Sequence, residues 1–581
     1  MATATDSPDS DGTRLGSLTR RQFLAGAAGA AAVTAAPTAL SSPATAVSMG
    51  EKSPTAYGEA QISLDGYQEL AYSERMQQQK GNDFQFSKKV DAVKDLGCDP
   101  NGGTPVQDTL NSKIEDGMLV VFPGGTYAAT GEINPGADRY GIVGEGYQNS
   151  KKPPKLGENS VVFTVETNQP IKLFNFGAAE ALVGNFVIDQ RKRAAHGGVT
   201  ARSSGNVRVR DVRTVGAQTA VGNGDSTPFF FEPFAEGKDS LIVFERCIAR
   251  GGGIPGTKNT GASAGIGIFQ RNGAAGRIVL KDCVIENMAD NGVYGARTTA
   301  EVIVLGGLYR NNDVSQVRVN GDAQVDGVDI VIDEENYTGL KSKSYGRERG
   351  PGWPATNGLK LETDSAGSVT AGTVVRKCDI RAISVADESS IGGLVNFFAS
   401  AGGATLDNCR LTNNVPGTTG IIASNPSNAP SQVGITVKNS VIQGNGAGQN
   451  AAVNISSRPR SLVKNTCLSY PGASRDDIKG AGTSNVSFVE CKSGSGLKAP
   501  QQVGSEGNLS SLPAPSVSYN RSGAAVGSGS GGGQEGPRKG VLLGVVNGFF
   551  ILLLLLVGTF VLFVGGILGA LGALVSVIGG D

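Results

Sequence analysis

The chain has 581 residues, of which 52 are basic and 52 are acidic, so its net charge at pH 7 is zero. A balanced charge gives no indication of a basic surface for nucleic acid, and no nucleic-acid partner is expected. The single histidine excludes metal sites that need two imidazoles, and 85 glycines without a Gly-X-Y period exclude collagen. The length allows several domains or one long repetitive domain.

An export signal is predicted at the N-terminus. The segment Thr19-Arg20-Arg21-Gln22-Phe23-Leu24 leads into an apolar stretch rich in Ala and Gly, which is followed by Ala44-Thr45-Ala46. This order is typical of a signal peptide, and it resembles the twin-arginine signal with its [ST]-R-R-x-F-L motif. The resemblance implies a signal peptide over residues 1–46, the twin-arginine export machinery as a partner, and an N-terminal extension over residues 47–87.

A membrane anchor is predicted at the C-terminus. The apolar run from Val541 to Gly580 is long enough for one long transmembrane helix or for a helical hairpin, and the anchor is assigned to residues 539–581. A Gly/Ser/Pro-rich stalk precedes it over residues 501–538. The export signal predicts that the body of the protein lies at the cell surface and is anchored in the cytoplasmic membrane by the C-terminus. Arg538 and Lys539, just before the anchor, favour the opposite orientation, because basic residues prefer the cytoplasmic side.

Residues 88–500 contain a repeated pattern. One recurring sequence motif, called here the first phrase, alternates apolar and polar residues, is interrupted by a polar pair at a predicted turn and then resumes the alternation. Examples are Ile242-Val-Phe-Glu-Arg-Cys-Ile-Ala and Ile278-Val-Leu-Lys-Asp-Cys-Val-Ile. A second phrase, such as Gly292-Val-Tyr-Gly-Ala-Arg, precedes most of these. The period of two predicts three short strands in each unit. Units stacked in parallel bury one continuous core, so the predicted fold is all-β, a right-handed parallel β-helix.

The beginning of the repeat adds a resemblance. Val90-Asp-Ala-Val-Lys-Asp-Leu-Gly-Cys-Asp-Pro100, a short predicted helix through Leu110 and Ile114, and Val120-Val-Phe-Pro-Gly-Gly-Thr-Tyr127 resemble the start of pectin-lyase-like proteins. In that superfamily this pattern caps the N-terminal end of a right-handed parallel β-helix. The superfamily includes lyases, hydrolases, epimerases and noncatalytic adhesins, so the resemblance implies a fold and no single activity.

The cysteines follow the repeat. Six of them are predicted to lie on one inward ladder, where buried thiols acting as small apolar side chains are favoured over bridges between neighbouring coils: Cys247, Cys283, Cys378, Cys409, Cys467 and Cys491. Cys98 stands alone in the cap.

Strand alternation predicts which side chains of the second phrase face outward. Because Val293, Val317 and Leu359 are the inward residues, Tyr294, Arg318 and Lys360 are expected to form an outward column on three successive coils. A second outward column is predicted from Arg202, Phe269, Asn320 and Glu362.

Candidate catalytic residues lie beside this column. Asp290 and Asp313 are on neighbouring coils and would be roughly 5 Å apart if their turns match, close enough to share a proton or a calcium ion. Calcium with Arg318 or Lys360 as the base would resemble pectate lyase chemistry, and the same carboxyl pair could serve in hydrolysis. The alternative is that both are ordinary turn residues. His196 is likewise either a general base or a turn residue.

Two long insertions interrupt the repeat. Residues 337–357 carry bases and aromatic rings suited to sugar stacking and carboxylate pairing, and they lead into the strand with Lys360. The alternative is a solvated loop. The other insertion, residues 227–234, is expected to pack its aromatics over the sheet edge. Candidate substrate-binding residues are therefore Tyr294, Lys360, Glu362, Tyr345, Arg347, Arg349 and Trp353.

Two functions remain open from the sequence. The first is an exported, membrane-tethered protein that binds, and could process as a lyase, epimerase or hydrolase, an extracellular and anionic polysaccharide. The second is a noncatalytic cell-surface adhesin or structural spacer.

Overall fold

A computed structural model describes residues 84–469, with gaps at 158, 168–170, 192–196, 217–228, 253–264, 271–272, 297, 322, 339–355, 363–371, 386–389, 428–432, 447–451 and 456–457, together with strands 485–489 and 518–519. These residues form an all-β parallel helix, which confirms the predicted fold class. The predicted signal peptide and membrane anchor lie outside the described residues. In the described part, no helix combines the length and the apolar character needed to cross a membrane.

Each complete coil contributes one strand to each of three parallel sheets. The first sheet contains Lys88–Asp91, Met118–Phe122, Arg139–Gly144, Leu241–Glu245, Arg277–Lys281, Glu301–Leu305, Gln324–Asp326, Thr373–Arg376, Ala404–Asp407 and Ile435–Lys438. The second sheet contains Gly125–Ala129, Val161–Val165, Ile248–Gly252, Val284–Met288, Leu308–Arg310, Asp329–Asp333, Asp379–Ser384, Arg410–Asn413 and Val441–Gln443.

Longer strands bend through both of these sheets. They are Glu180–Asp189, Asn206–Val215 and Leu462–Ser469, and Asn485–Val489 pairs with the last of them. The third sheet has ten strands: Ile171–Phe176, Gly197–Ser203, Phe229–Ala235, Ile266–Phe269, Asn291–Gly295, Ser315–Val319, Thr356–Leu361, Ile391–Phe397, Ile421–Ala423 and Val453–Asn454.

The N-terminal end carries the short helix that the sequence predicts, Gln107–Lys113. Its Leu110, together with Val106 and Ile114 at its two ends, is buried in the same core that continues to Leu468. Two single 3-10 turns, Tyr147–Asn149 and Glu334–Asn336, lie between coils. The helix therefore closes the N-terminal end of the core, as the resemblance implies.

The turn between the first and second sheets is a single residue in the left-handed backbone region. Asp211 has φ 57°, Arg246 φ 51°, Asp282 φ 50° and Asn408 φ 55°. Asn, Asp and Gly tolerate this conformation best, which explains the polar residue at the centre of the first repeated phrase. The next residue points into the core, as Cys247, Cys283, Cys378 and Cys409 do, and these four thiols are free and buried, as predicted.

Two predictions about the repeat were wrong, and one coil was not predicted. Cys467 is not on the inward ladder, because it pairs with Val441 and so leaves Thr466 opposite Ser440; Cys467 is instead disulfide-bonded. Phe229–Ala235 is a strand of the third sheet rather than an insertion over its edge. The repeat pattern read from the sequence did not include the coil of Gln324–Asp326 and Asp329–Asp333, whose inward residue is Val328. Cys491 lies outside the described residues.

One pairing joins the two ends of the described chain. Ser518–Tyr519 forms a parallel pair with Gln85–Phe86, inside the segment predicted to be a stalk. Phe86 packs with Phe84, Leu119 and Leu182 on the outer face of the first sheet, in a cluster separate from the main core.

Candidate functional site

The outward column of the third sheet is longer than the sequence predicts. Phe269 pairs with Tyr294, Tyr294 with Arg318, Arg318 with Lys360, and Lys360 with Asn396, so five successive strands contribute one residue each. The alternating residues Val293, Val317 and Leu359 are buried in the core. Strands in neighbouring coils lie about 4.8 Å apart, so the column spans about 19 Å along the helix axis.

The second column differs in one member. Phe269 belongs to the first column, because it pairs with Tyr294, whereas Arg202 has Phe234 beside it in the next coil. The error arises from the strand Phe229–Ala235, which was not recognised from the sequence. Asn320 and Glu362 lie where predicted, each two residues after its first-column neighbour.

Charged and aromatic side chains of these columns form one group, named here the Glu362 cluster and consisting of Tyr294, Arg318, Lys360, Glu362 and Phe398. The Arg318 guanidinium lies 3.9 Å from the Tyr294 ring centroid and also pairs with Glu362. Lys360 Nζ is 2.7 Å from Glu362 Oε2 and 4.0 Å from the centroid of the Phe398 ring. One carboxylate thus joins two cations that each face an aromatic ring.

The cluster is nearly closed to solvent. Tyr294 is 4% exposed, Arg318 7%, Lys360 4% and Glu362 8%. Among these five column residues, Phe269 and Asn396 are half-buried. The column continues beyond them, to Glu232 and Thr200 on one side and to Ile422 on the other. Arginine carries five N–H donors and no acceptor, and its guanidinium stays charged in proteins. Arg318 therefore suits the binding of an anion better than the removal of a proton.

Asp290 and Asp313 do not stack as predicted. Asn291 pairs with Ser315, so the register places Asp313 beside Ala289 and Asp290 beside Val314. The two turns are therefore offset by one residue. Both carboxyl side chains are buried, and Asp290 accepts a hydrogen bond from the Asn291 side-chain amide. In the ranges that the structure describes, no three Cys, Asp, Glu or His side chains are grouped so that they could hold a metal ion.

Amide side chains that the sequence analysis overlooked brace these turns. Asn312 Nδ2 donates to Ile285 O at 3.1 Å, and Gln316 Nε2 donates to Asn312 O at 2.7 Å. Asn357 Nδ2 donates to Val314 O, in the backbone of the same turn, at 2.9 Å. Gln316 and Asn357 lie at the second position of second-phrase strands, and this is their signal in the sequence. The turns beside the column are consequently held by side-chain to backbone bonds.

The other predicted site residues lie outside the described residues: His196, Tyr345, Arg347, Arg349 and Trp353. One buried acid of the third sheet was missed by the sequence analysis. Glu232 accepts a hydrogen bond from Thr200 Oγ1 at 2.8 Å and lies 3.6 Å from Lys172 Nζ. It sits in the strand that was mistaken for an insertion.

A second charged group, named here the Arg246 network, lies at the turn between the first and second sheets. Arg246 is bidentate to Asp211 and contacts Glu245 at 3.1 Å, and all three are fully buried. Ser150 O accepts from Arg246 at 3.2 Å. Burial raises the pKa of the adjoining Asp282 to about 6. This network ties the loop around Ser150 to three coils.

Comparison with known proteins yields structural similarity only. No family model matches the chain, and no curated protein matches it. The A-module of a mannuronan C-5 epimerase from Azotobacter vinelandii is similar at TM-score 0.34 and 11% identity, covering 70% of this chain and 98% of the epimerase module. The Agl-KA catalytic domain is similar at TM-score 0.42 and 13% identity, covering 69% and 68%. Pectate lyase Pel9A is similar at TM-score 0.27 and 10% identity, covering 69% and 78%. At these scores no functional residue is transferred from these proteins.

Proposed function

We propose that this chain is an exported, membrane-tethered β-helix of the pectin-lyase-like type that binds an anionic extracellular polysaccharide along the outer face of its third sheet. The observation that carries the proposal is the column from Phe269 through Tyr294, Arg318 and Lys360 to Asn396. It consists of two rings, two cations and an amide at a repeat of about 4.8 Å, comparable with the length of one sugar residue.

The chemistry of the column favours an acidic sugar polymer. Arg and Lys recognise carboxylates and sulfates, and aromatic rings stack on the apolar faces of sugars. Phe269 and Asn396 are the half-buried members of these five residues, so they make the direct contacts. Arg318 and Lys360 supply positive potential between these contacts, in a buried setting where charges are screened less by salt.

Export and tethering rest on the sequence, with one supporting structural observation. Disulfides persist in oxidising compartments outside the cytoplasm, and Cys467 is disulfide-bonded. This agrees with the twin-arginine resemblance of residues 19–24 and with a body that reaches the cell surface. The apolar run from Val541 to Gly580 is the proposed anchor.

Processing of the bound polysaccharide, as a lyase, epimerase or hydrolase, is a second candidate. It is favoured by Asp290 and Asp313, two buried carboxyl groups in the turns that lead into the column. A noncatalytic spacer is a third candidate, favoured by the pairing of Arg318 and Lys360 with Glu362 inside the molecule.

The test is binding and product analysis with the full-length chain in detergent. Polygalacturonate, alginate and a neutral dextran are the probes, with and without calcium, and mass spectrometry of the soluble fraction detects new oligosaccharides. We expect the acidic polymers alone to bind, and Asn396→Ala with Phe269→Ala to weaken binding about tenfold or more. Arg250→Gln, which breaks a pair with Glu286 on the second sheet, is the matched control and should leave binding unchanged.

Each outcome has a meaning. Oligosaccharide products that disappear in Asp290→Asn would establish processing. Equal binding by wild type and by the double column variant would overturn the proposed surface, and absence of binding to every polymer would favour the spacer.

A further inference from the structure

The carboxylate of Glu362 bridges two cations on the outer face of the third sheet. Arg318 and Lys360 are partners in neighbouring strands, so their backbones lie about 4.8 Å apart. Glu362 contacts the Arg318 guanidinium through Oε1, and its Oε2 is 2.7 Å from Lys360 Nζ. Each carboxylate oxygen therefore serves one cation, and the carboxylate of an acidic sugar can make the same two contacts.

Glu362 is held in this place by ionic contacts alone. In the ranges that the structure describes, the partners of its carboxylate are the two cations Arg318 and Lys360. Glu232, another buried acid of the same face, is held differently, because the Thr200 hydroxyl also donates to it, at 2.8 Å. Exchange of the Glu362 carboxylate for one from a ligand thus breaks no other bond and leaves neither buried cation unpaired.

The backbone at Glu362 stays in place when its side chain turns away. The strand Thr356–Leu361 ends one residue earlier, and the Glu362 N–H donates to Val319 O at 3.2 Å. Rotatable side-chain bonds separate the carboxylate from this fixed backbone. The carboxylate can therefore leave the cations without disrupting the sheet.

One side of the cluster borders residues that solvent reaches. Lys360 pairs with Asn396, and the Phe398 ring centroid is 4.0 Å from Lys360 Nζ. Both of these neighbours are half-buried, whereas Tyr294, beside Arg318, is 4% exposed. An anion therefore approaches the two cations past Asn396 and Phe398.

We propose that Glu362 occupies a subsite for one carboxylate of an acidic sugar polymer, and that the polymer's carboxylate displaces it to bind Arg318 and Lys360. This inference rests on the proposed function and names the group that the site accepts. A neutral polymer has no charge to replace Glu362, and its binding there would leave two buried cations unpaired. The competition selects for charged polymers and lowers the affinity for them at the same time.

Binding by a Glu362 variant tests the displacement, with the full-length chain in detergent and with polygalacturonate and neutral dextran as probes. Without the competing carboxylate, Glu362→Gln should bind polygalacturonate about tenfold more tightly than the wild type and dextran no better. Glu301→Gln, which breaks a pair with Arg277 on the first sheet, is the matched control and should leave both affinities unchanged. An affinity for polygalacturonate that falls or stays the same in Glu362→Gln would overturn the proposal.

A second variant keeps the test independent of how well Glu362→Gln folds. Glu362→Asp retains the charge and therefore the pairing of the buried cations, but its shorter side chain holds them less closely. It should also bind polygalacturonate more tightly than the wild type. Weaker binding by Glu362→Asp would mean that Glu362 positions the cations for the ligand, which contradicts the displacement.

A further measurement uses acetate and needs no polymer. Glu362→Ala leaves space between the cations, so acetate should raise its melting temperature by several degrees relative to chloride at equal ionic strength. The wild type, in which Glu362 fills this space, and Glu301→Ala should not respond. If acetate does not stabilise Glu362→Ala, the cations do not accept an external carboxylate and the proposal fails.

The two kinds of measurement separate the proposed function from this inference. Acetate stabilisation without polymer binding by the wild type or any variant would mean that the proposed function has failed, and the displacement with it. Polymer binding of equal strength in the wild type and in the Glu362 variants would overturn the displacement alone.

Discussion

Thr466 occupies, one coil later, the same inward position of the turn as Ser440. Ser440 Oγ donates to Lys438 O at 2.7 Å, and Thr466 Oγ1 donates to Lys464 O at 3.1 Å, each two residues back. The thiol of Cys409 makes the same bond to Asp407 O at 3.5 Å. Where the ladder residue is Ser, Thr or Cys, its side chain therefore donates to the carbonyl oxygen two residues back; Val328 shows that the position also accepts an apolar side chain without a donor.

Cysteine substitutions should separate ladder thiols from the disulfide. Cys409→Ser is expected to change the free energy of unfolding by less than about 1 kcal/mol, because a hydroxyl makes the same bond. Cys467→Ser is expected to lower it by about 2–4 kcal/mol through loss of the cross-link. Thermal melting with and without reductant measures both. Equal losses in the two variants, or no effect of reductant on the wild type, would contradict this assignment.

Removal of the carboxylate of the Glu362 cluster should be costly. Glu362→Gln leaves Arg318 and Lys360 buried without their shared charge, and we expect a loss of about 3–5 kcal/mol in the free energy of unfolding. The control is Glu301→Gln, which breaks the more exposed pair with Arg277 on the first sheet and should cost less than about 1 kcal/mol. Chemical denaturation measures the difference, and similar losses in the two variants would argue against a closed cluster.

Asp282 should make stability depend on pH. Burial raises its pKa from 3.8 to about 6, with Glu245 adding to the rise and Lys281 and Arg246 opposing it. Between pH 4 and 6 the folded state therefore binds more protons than the unfolded state, and stability falls as pH rises through this window. The loss is at most about 3 kcal/mol.

The variant that checks this is Asp282→Asn, since Asn tolerates the left-handed backbone at this position. The difference in melting temperature between variant and wild type should increase in favour of the variant from pH 4 to pH 7. A difference that is constant over this range would show that Asp282 ionises normally in the folded protein.

Arg458 should be indispensable to the last coils. It is fully buried and donates to three carbonyl oxygens within 3.2 Å, those of Ala401, Phe398 and Ser424. Burial lowers its pKa to about 10. Arg458→Lys cannot reach all of these acceptors, and we expect it to cost about 2–4 kcal/mol.

The matched control is Arg460→Lys, at an exposed position two residues later. Hydrogen exchange around residues 398–402 should increase in Arg458→Lys and remain unchanged in the control. Similar protection in both variants would mean that Arg458 is dispensable for these turns.

Local patterns in the sequence were enough to predict the fold. Alternation with a period of two identifies strands within five or six residues, and Val293, Val317 and Leu359 were assigned to the core on that basis alone. The polar residue at the turn was visible because only a few residue types tolerate a left-handed backbone. The outward positions of Tyr294, Arg318 and Lys360 follow from the same alternation.

What the sequence could not provide is the alignment of one coil with the next. A slip of one residue separates Thr466 from Cys467 on the ladder and offsets Asp290 from Asp313. Backbone pairing between coils sets that register, and the number of residues in each intervening turn does not reveal it.

The sequence by itself determined the repeat, most of its strands and the faces of those strands, because these depend on neighbours a few residues apart. Only the tertiary structure decided that Glu362 joins Arg318 to Lys360 and that Ser518–Tyr519 returns to Gln85–Phe86. These contacts join residues that are distant along the chain, and they form only when stacked coils bring the residues together and exclude water from their charges.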